Sequence, residues 1–61
     1  MKLRLRYGAE SIVVTTERAA RAWAREKLGV DRVYETPTNS GWQLWPESGD
    51  DNDPHVTVTV L

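Results

Sequence analysis

The chain has 61 residues, no cysteine, one histidine and a formal net charge of −1 at pH 7. A domain of this length buries only about 60% of the surface that its unfolded chain exposes. The cysteine count excludes disulfides, thiolate zinc sites and a cysteine nucleophile, and one histidine excludes a His–His metal pair within one chain. We therefore expect a single small domain over residues 1–61, stabilised by an efficient core or by self-association, and no cofactor.

The N-terminal segment alternates basic and apolar residues, reading Lys-Leu-Arg-Leu-Arg over residues 2–6. A signal peptide has instead a continuous apolar stretch after its basic residues, and a membrane-spanning helix needs about 20 apolar residues in a row. Because the sequence shows neither pattern, we predict a cytoplasmic protein that makes no membrane contact.

The segment before residue 17 predicts a β-hairpin. Leu3 to Tyr7 alternates strictly, which is typical of a strand with one buried face, and Ser11 to Thr16 is rich in β-branched residues. A three-residue connection, Gly8-Ala9-Glu10, is expected between the two strands, because glycine can adopt the positive φ of a tight turn.

Residues 17–28 predict a helix, since they contain no glycine, proline or β-branched residue. Thr15 or Thr16 can cap its N-terminus, and Gly29 can end it. At about 100° per residue, one face collects small and apolar side chains, and we expect it to pack on the sheet with tryptophan as its one large member. These residues are Ala20, Trp23, Ala24 and Leu28.

Three more strands are predicted at residues 30–36, 41–45 and 55–61, and prolines at positions 37 and 46 end the first two. The element order is then β-β-α-β-β-β. The predicted fold class is α+β with two layers, a single helix packed on one face of the sheet, because one helix cannot cover both faces. The other face is expected to carry Arg4, Arg6, Thr57 and Thr59, with Tyr34 and Trp45 added if the registers allow it.

Trp42 and Trp45 are three positions apart, so on a regular strand they face opposite sides of the sheet. We expect one ring in the core and the other partly exposed. The exposed ring either contacts a partner, since tryptophan is enriched in binding hot spots, or packs on an arginine side chain or on the acidic loop of residues 46–54.

The charges are divided between the two halves of the sequence. Residues 2–32 hold all eight basic residues and four acidic ones, for a balance of +4, whereas residues 33–61 hold five acidic residues and no base, for −5. Such a division predicts a charged partner or head-to-tail self-recognition. The alternative is that both halves only keep a small domain soluble.

Two rows of arginines and two aromatic residues are the candidate contacts of the basic half. They are Arg4 and Arg6 of the first strand, Arg18, Arg21 and Arg25 of the helix, and Tyr34 and Trp45. The rows form one positive patch if they converge and none if they lie on opposite layers. Such a patch with stacking rings would suit single-stranded nucleic acid, although the sequence pI of about 5.7 argues against a dedicated nucleic-acid domain.

The acidic loop carries three further candidate contacts, Asp50, Asp51 and Asp53. Calcium binding is one interpretation, but Gly49 precedes the acids and no distal glutamate follows them, unlike in an EF-hand loop. The other interpretations are a contact surface for a basic partner and a solvated connection between two strands.

We predict no catalysis, because His55 has no serine or acid at a catalytic spacing and the sequence lacks phosphate-binding and hydrolase motifs. The predicted function is a non-catalytic, inhibitor-like regulator that binds a protein partner through complementary charge and an exposed aromatic residue. By analogy, small regulators of this kind accompany phages and mobile elements. The alternative is a nucleic-acid-binding domain that uses the arginines of the first strand and the helix.

Self-association is a separate prediction. The terminal strand, residues 56–61, is regular and free of proline. We expect it to lie at an edge of the sheet, where it can pair with its copy in a homodimer.

Overall fold

A computed structural model of the chain describes residues 1–47 and 53–61. Within these residues the elements are β1 (Leu3–Tyr7), β2 (Glu10–Val14), α1 (Glu17–Leu28), β3 (Tyr34–Pro37), β4 (Gly41–Trp45) and β5 (Val56–Val60). The helix packs against a five-stranded antiparallel sheet, so the α+β class and the order β-β-α-β-β-β are confirmed. The helix is neither long nor apolar enough to cross a membrane.

The strands lie in the order β2-β1-β5-β4-β3, and each neighbouring pair is antiparallel. The prediction that the terminal strand lies at an edge and pairs with its copy is therefore wrong. β5 lies between β1 and β4, and Val56 and Val58 on this central strand are fully buried. The edges of the sheet are β2 and β3.

The hairpin connection has two residues, Gly8 and Ala9, rather than the predicted three, because Glu10 pairs with Tyr7. Gly8 has a φ of 60°, and no residue other than glycine has a positive φ among the described residues. A positive φ at the first central position only is typical of a type II′ turn, which matches the twist of the flanking strands.

The helix begins and ends where the sequence predicts. Thr16 is the N-cap, and its hydroxyl accepts a hydrogen bond from the Ala19 amide at 3.1 Å. Gly29 adopts the left-handed conformation with a φ of 68°. The amide of Val30 then donates to the carbonyl of Arg25 at 3.1 Å. Val30, which the sequence assigns to the third strand, therefore belongs to the helix cap, and β3 begins only at Tyr34.

The core lies between the helix and the adjacent face of the sheet. Ala20 and Ala24 are fully buried, and their small side chains let the helix approach the strands closely. Trp23 and Leu28 are partly buried and pack against this core, as predicted. The fully buried residues on the sheet side come from three central strands: Leu3, Leu5, Leu44, Val56 and Val58.

Gly41 in β4 lies against the backbone of β5. A β-carbon at this position would clash with the carbonyl oxygen of Val58 and would lie 2.9 Å from its carbonyl carbon. The obstructing atoms belong to the backbone of a central strand, which cannot move aside without disturbing the ladder. Only glycine fits here.

Replacing Thr16 by alanine is expected to lower the free energy of unfolding by about 1 kcal/mol, because it removes the acceptor for the Ala19 amide. Urea denaturation followed by tryptophan fluorescence measures the change. Thr15→Ala is the matched control, since no hydrogen bond of the Thr15 side chain occurs among the described residues, and it should stay within about 0.5 kcal/mol of the parent. Equal losses for both variants would contradict the assignment of the cap.

Gly41→Ala is expected to destabilise the protein by about 1 to 3 kcal/mol or more, because the added methyl group overlaps the backbone of β5. Gly8→Ala is the comparison, since its β-carbon would meet open space and only its positive φ is strained. The midpoint of thermal unfolding should therefore fall further for Gly41→Ala. The reverse order would show that the two strands do not approach as closely as described.

Candidate functional site

The sheet face opposite the helix carries the side chains that alternate with the core residues. We call it the open face and define it by the strand residues that the registers place there. They are Ser11, Val13, Arg4, Arg6, Thr57, Thr59, Gly41, Gln43, Trp45, Tyr34 and Thr36. The predicted membership of Arg4, Arg6, Thr57, Thr59, Tyr34 and Trp45 is confirmed.

Two cations occupy the middle of the open face. Arg4 lies between Val13 and Thr59 in the cross-strand register, and Arg6 lies one row further along β1. Both side chains are exposed, and neither forms an ion pair within residues 1–47 and 53–61. No strand residue of the open face is acidic. The face therefore presents unpaired positive charge.

The helix arginines do not join this cationic surface. Arg18 and Arg25 belong to the helix, which packs on the other side of the sheet. The two rows of arginines that the sequence predicts thus lie on opposite layers and form no common patch. A sequence cannot decide this point alone, because a slip of one residue in β1 would exchange its two faces.

Arg21 is engaged by an acid from the second half of the chain. Its Nε donates to Oε1 of Glu35 at 2.7 Å, and its Nη2 donates to the same oxygen. Oε2 of Glu17, one helical turn away, lies 4.0 Å from Nη2. The hydrogen bond to Glu35, with the attraction of its carboxylate, raises the pKa of Arg21 above its ordinary value. Arg21 is therefore a link between the helix and β3.

Lys27 is the second engaged cation of the helix. Its Nζ lies 2.5 Å from Oε2 of Glu10 in β2 and 5.5 Å from the centre of the Trp23 ring. The hydrogen bond to Glu10 raises the pKa of Lys27. This contact holds the far end of the helix over the outer strand.

The aromatic residues of the open face differ in exposure. Trp42 pairs with Val58 on the core side and Trp45 pairs with Tyr34 on the open face, so the prediction that the two tryptophans face opposite sides is confirmed. The sequence leaves open which of the two rings is exposed; in the structure Trp45 is only 6% exposed, and Trp42 is the partly buried one. His55 stacks on Trp45 with ring centres 4.2 Å apart and an angle of 24° between the planes. Tyr34, at 44% exposure, is the accessible ring.

The acidic loop lies largely outside the described residues. Asp50 and Asp51 fall in the segment that the structure does not describe, so their predicted contacts remain predictions. Asp53 is partly buried and lines an open depression of about 530 Å³ with Tyr7, Gly8, Pro54 and His55. No group of three or more potential metal ligands occurs within residues 1–47 and 53–61.

Val13 is a surface residue that sequence reasoning did not single out. It is 51% exposed on the open face next to Arg4. Its exposure follows from its place on the sheet face opposite the helix and on an edge strand, and both depend on how segments distant in sequence pair.

Comparison with protein-family models, with curated proteins and with solved structures finds no match.

The ion pair between Arg21 and Glu35 is expected to contribute about 0.5 kcal/mol, since both side chains are more than 40% exposed. A double-mutant cycle with Arg21→Met and Glu35→Gln measures the coupling by urea denaturation. It should decrease in 1 M salt, where the screening length falls from about 10 Å to about 3 Å. A cycle that combines Arg18→Met with Glu35→Gln is the control and should show no coupling. Equal coupling in both cycles would contradict the specific contact.

Proposed function

We propose that the protein is a non-catalytic binding module that docks an acidic protein segment on its open face. One observation carries the proposal: the charged strand residues of this face are the exposed pair Arg4 and Arg6, which no described acid neutralises. Unpaired charge of one sign on a flat surface attracts the opposite charge and steers its approach.

The surroundings of the arginines support a protein partner. Val13 lies on β2 at one side of the face, and Tyr34 lies on β3 at the other. Both are exposed hydrophobic residues. A cationic centre with apolar contacts on both sides complements a segment in which acids stand among apolar residues. Arginine and tyrosine are also enriched in protein interfaces.

The arrangement is less suited to nucleic acid. A surface for single strands combines a positive groove with several rings on which bases stack. Here Arg18 and Arg25 lie on the other layer, and the Trp45 ring is covered by His55. Two strand arginines and the ring of Tyr34 remain, which is a small set for this purpose.

The size of the open face sets the expected affinity. Neighbouring strands are about 4.8 Å apart and each residue adds about 3.3 Å, so the five strands, four of five residues and one of four, cover about 380 Å² in plan. A stable interface buries about 800 Å² on each partner. We therefore expect weak, reversible binding, with a Kd of micromolar order or higher.

A charge-reversal experiment tests the proposal with matched variants. The probe is an acidic synthetic peptide that combines glutamate with leucine, titrated into the isotope-labelled protein and observed by amide chemical shifts. Shifts are expected on the open face, around Arg4, Arg6 and Thr57. Arg4→Glu with Arg6→Glu should weaken binding at least about tenfold, because it replaces attraction by repulsion. Arg18→Glu with Arg25→Glu makes the same change on the other layer and should leave the affinity within about twofold.

Two outcomes would contradict the proposal. Equal weakening by both double variants would indicate attraction to overall charge rather than to the open face. Stronger binding of an oligothymidine strand, lost in Arg4→Glu with Arg6→Glu, would assign the face to nucleic acid. In that case log K should fall with log salt with a slope of about −1.4, or about −0.7 for each of two neutralised phosphates.

A further inference from the structure

We propose that β2 is the interaction edge for a second copy of this chain, which pairs with it antiparallel about a two-fold axis at Ile12. This pairing would involve an edge of the sheet, and it does not rest on the function proposed for the open face.

The backbone groups that point away from the sheet belong to Ser11 and Val13. Because the hairpin connection has two residues, Tyr7 and Glu10 form the hydrogen-bonded pair next to the turn. Bonded and non-bonded pairs alternate from there, so the even-numbered residues of β2 bond to β1. The hydrogen bonds between β1 and β5 are consistent with this alternation. The Leu61 amide donates to the Lys2 carbonyl at 2.9 Å, so the even-numbered residues of β1 bond to β5.

The opposite edge of the sheet is protected against further pairing. The Thr38 amide donates to the Gly41 carbonyl at 3.0 Å, so the same alternation directs the backbone groups of Glu35 and Pro37 outward from β3. Proline has no N–H to offer, and a charged side chain at an edge discourages a neighbouring strand. β2 has neither proline nor lysine, and its one charged residue, Glu10, is held by Lys27 of the same molecule.

The pattern of outward groups on β2 is symmetric about Ile12. In an antiparallel pair of identical strands centred there, Ser11 of each copy lies opposite Val13 of the other, and each of these two pairs exchanges two hydrogen bonds. All outward N–H and C=O groups of Ser11 and Val13 are then satisfied. A shift of the register by one residue in either direction leaves some of them without a partner. The strand is thus complementary to itself.

The side chains agree with this register. Ile12 is 39% exposed on the helix side of the sheet and would meet Ile12 of the second copy in the central non-bonded pair, where side chains approach most closely. Glu10 would face Val14 of the second copy. The two Glu10 side chains stay about 13 Å apart, four residues along the strand direction, so no like charges are brought together.

The small core supplies a reason for such a partner. Eight apolar residues are buried within residues 1–47 and 53–61, and two of them are alanine. A domain with so little buried apolar surface gains stability when it associates. Pairing along β2 would cover Ile12, and it would extend the sheet without rearranging either copy.

Sedimentation equilibrium tests the inference over concentrations from about 10 μM to about 1 mM, the range for a small interface. The mass should rise from 6.9 kDa toward twice that value. Val13→Pro should hold it at 6.9 kDa throughout, because it removes an outward N–H without breaking a bond to β1. Val13→Thr keeps both the N–H and the β-branched shape, and it should associate within about threefold of the parent.

Hydrogen exchange of the parent protein is a second measurement, and it does not depend on whether a variant folds. The amides of Ser11 and Val13 should gain at least about tenfold protection between the lowest and the highest concentration, whereas the outward amide of Glu35 should not change. A constant mass of 6.9 kDa would overturn the inference. So would association of a folded Val13→Pro variant at the strength of the parent, or protection that appears only outside β2.

Discussion

The structure depends on the insertion of β5 between β1 and β4. The chain forms two hairpins that are far apart in sequence, β1–β2 and β3–β4, and β5 joins them into one sheet. Val56 and Val58 face Leu44 and Leu5 across the ladders, so the buried side of the sheet becomes continuous only when this strand is in place. Gly41 permits the approach on the β4 side. The helix then covers the apolar surface that the three central strands create together.

The sequence predicts those parts of the fold that depend on neighbouring residues. The helix, its Thr16 and Gly29 caps, and strands β1 and β4 agree with the predicted bounds, because caps, turns and alternation are local signals. The predicted position of β5 at an edge was wrong, because the strand order depends on how the hairpins pair with the other strands. Alternation in its sequence indicates a buried face but not the number of neighbours.

The candidate site was predicted in composition but not in arrangement. Residues of the open face follow from period-two alternation once the core side is known, so Arg4 and Arg6 were correctly placed there. Which tryptophan is buried could not be predicted, because the stacking of His55 on Trp45 depends on how β4 and β5 pair. The division of charge along the sequence also predicted the charged surface only in part. Arg21 is neutralised by Glu35 across the two halves, and the remaining arginines are separated by the thickness of the sheet.

Pro37 has a consequence beyond the strand that it ends. A sheet grows into a fibril only if every copy offers two adhesive edges, one to receive the preceding copy and one to template the next. The outward backbone groups of β3 belong to Glu35 and Pro37, and because Pro37 has no N–H to donate, this edge cannot form a complete ladder with another strand. If two copies pair through β2 as proposed, the dimer presents only β3 edges to further copies, and strand addition beyond two copies would be disfavoured.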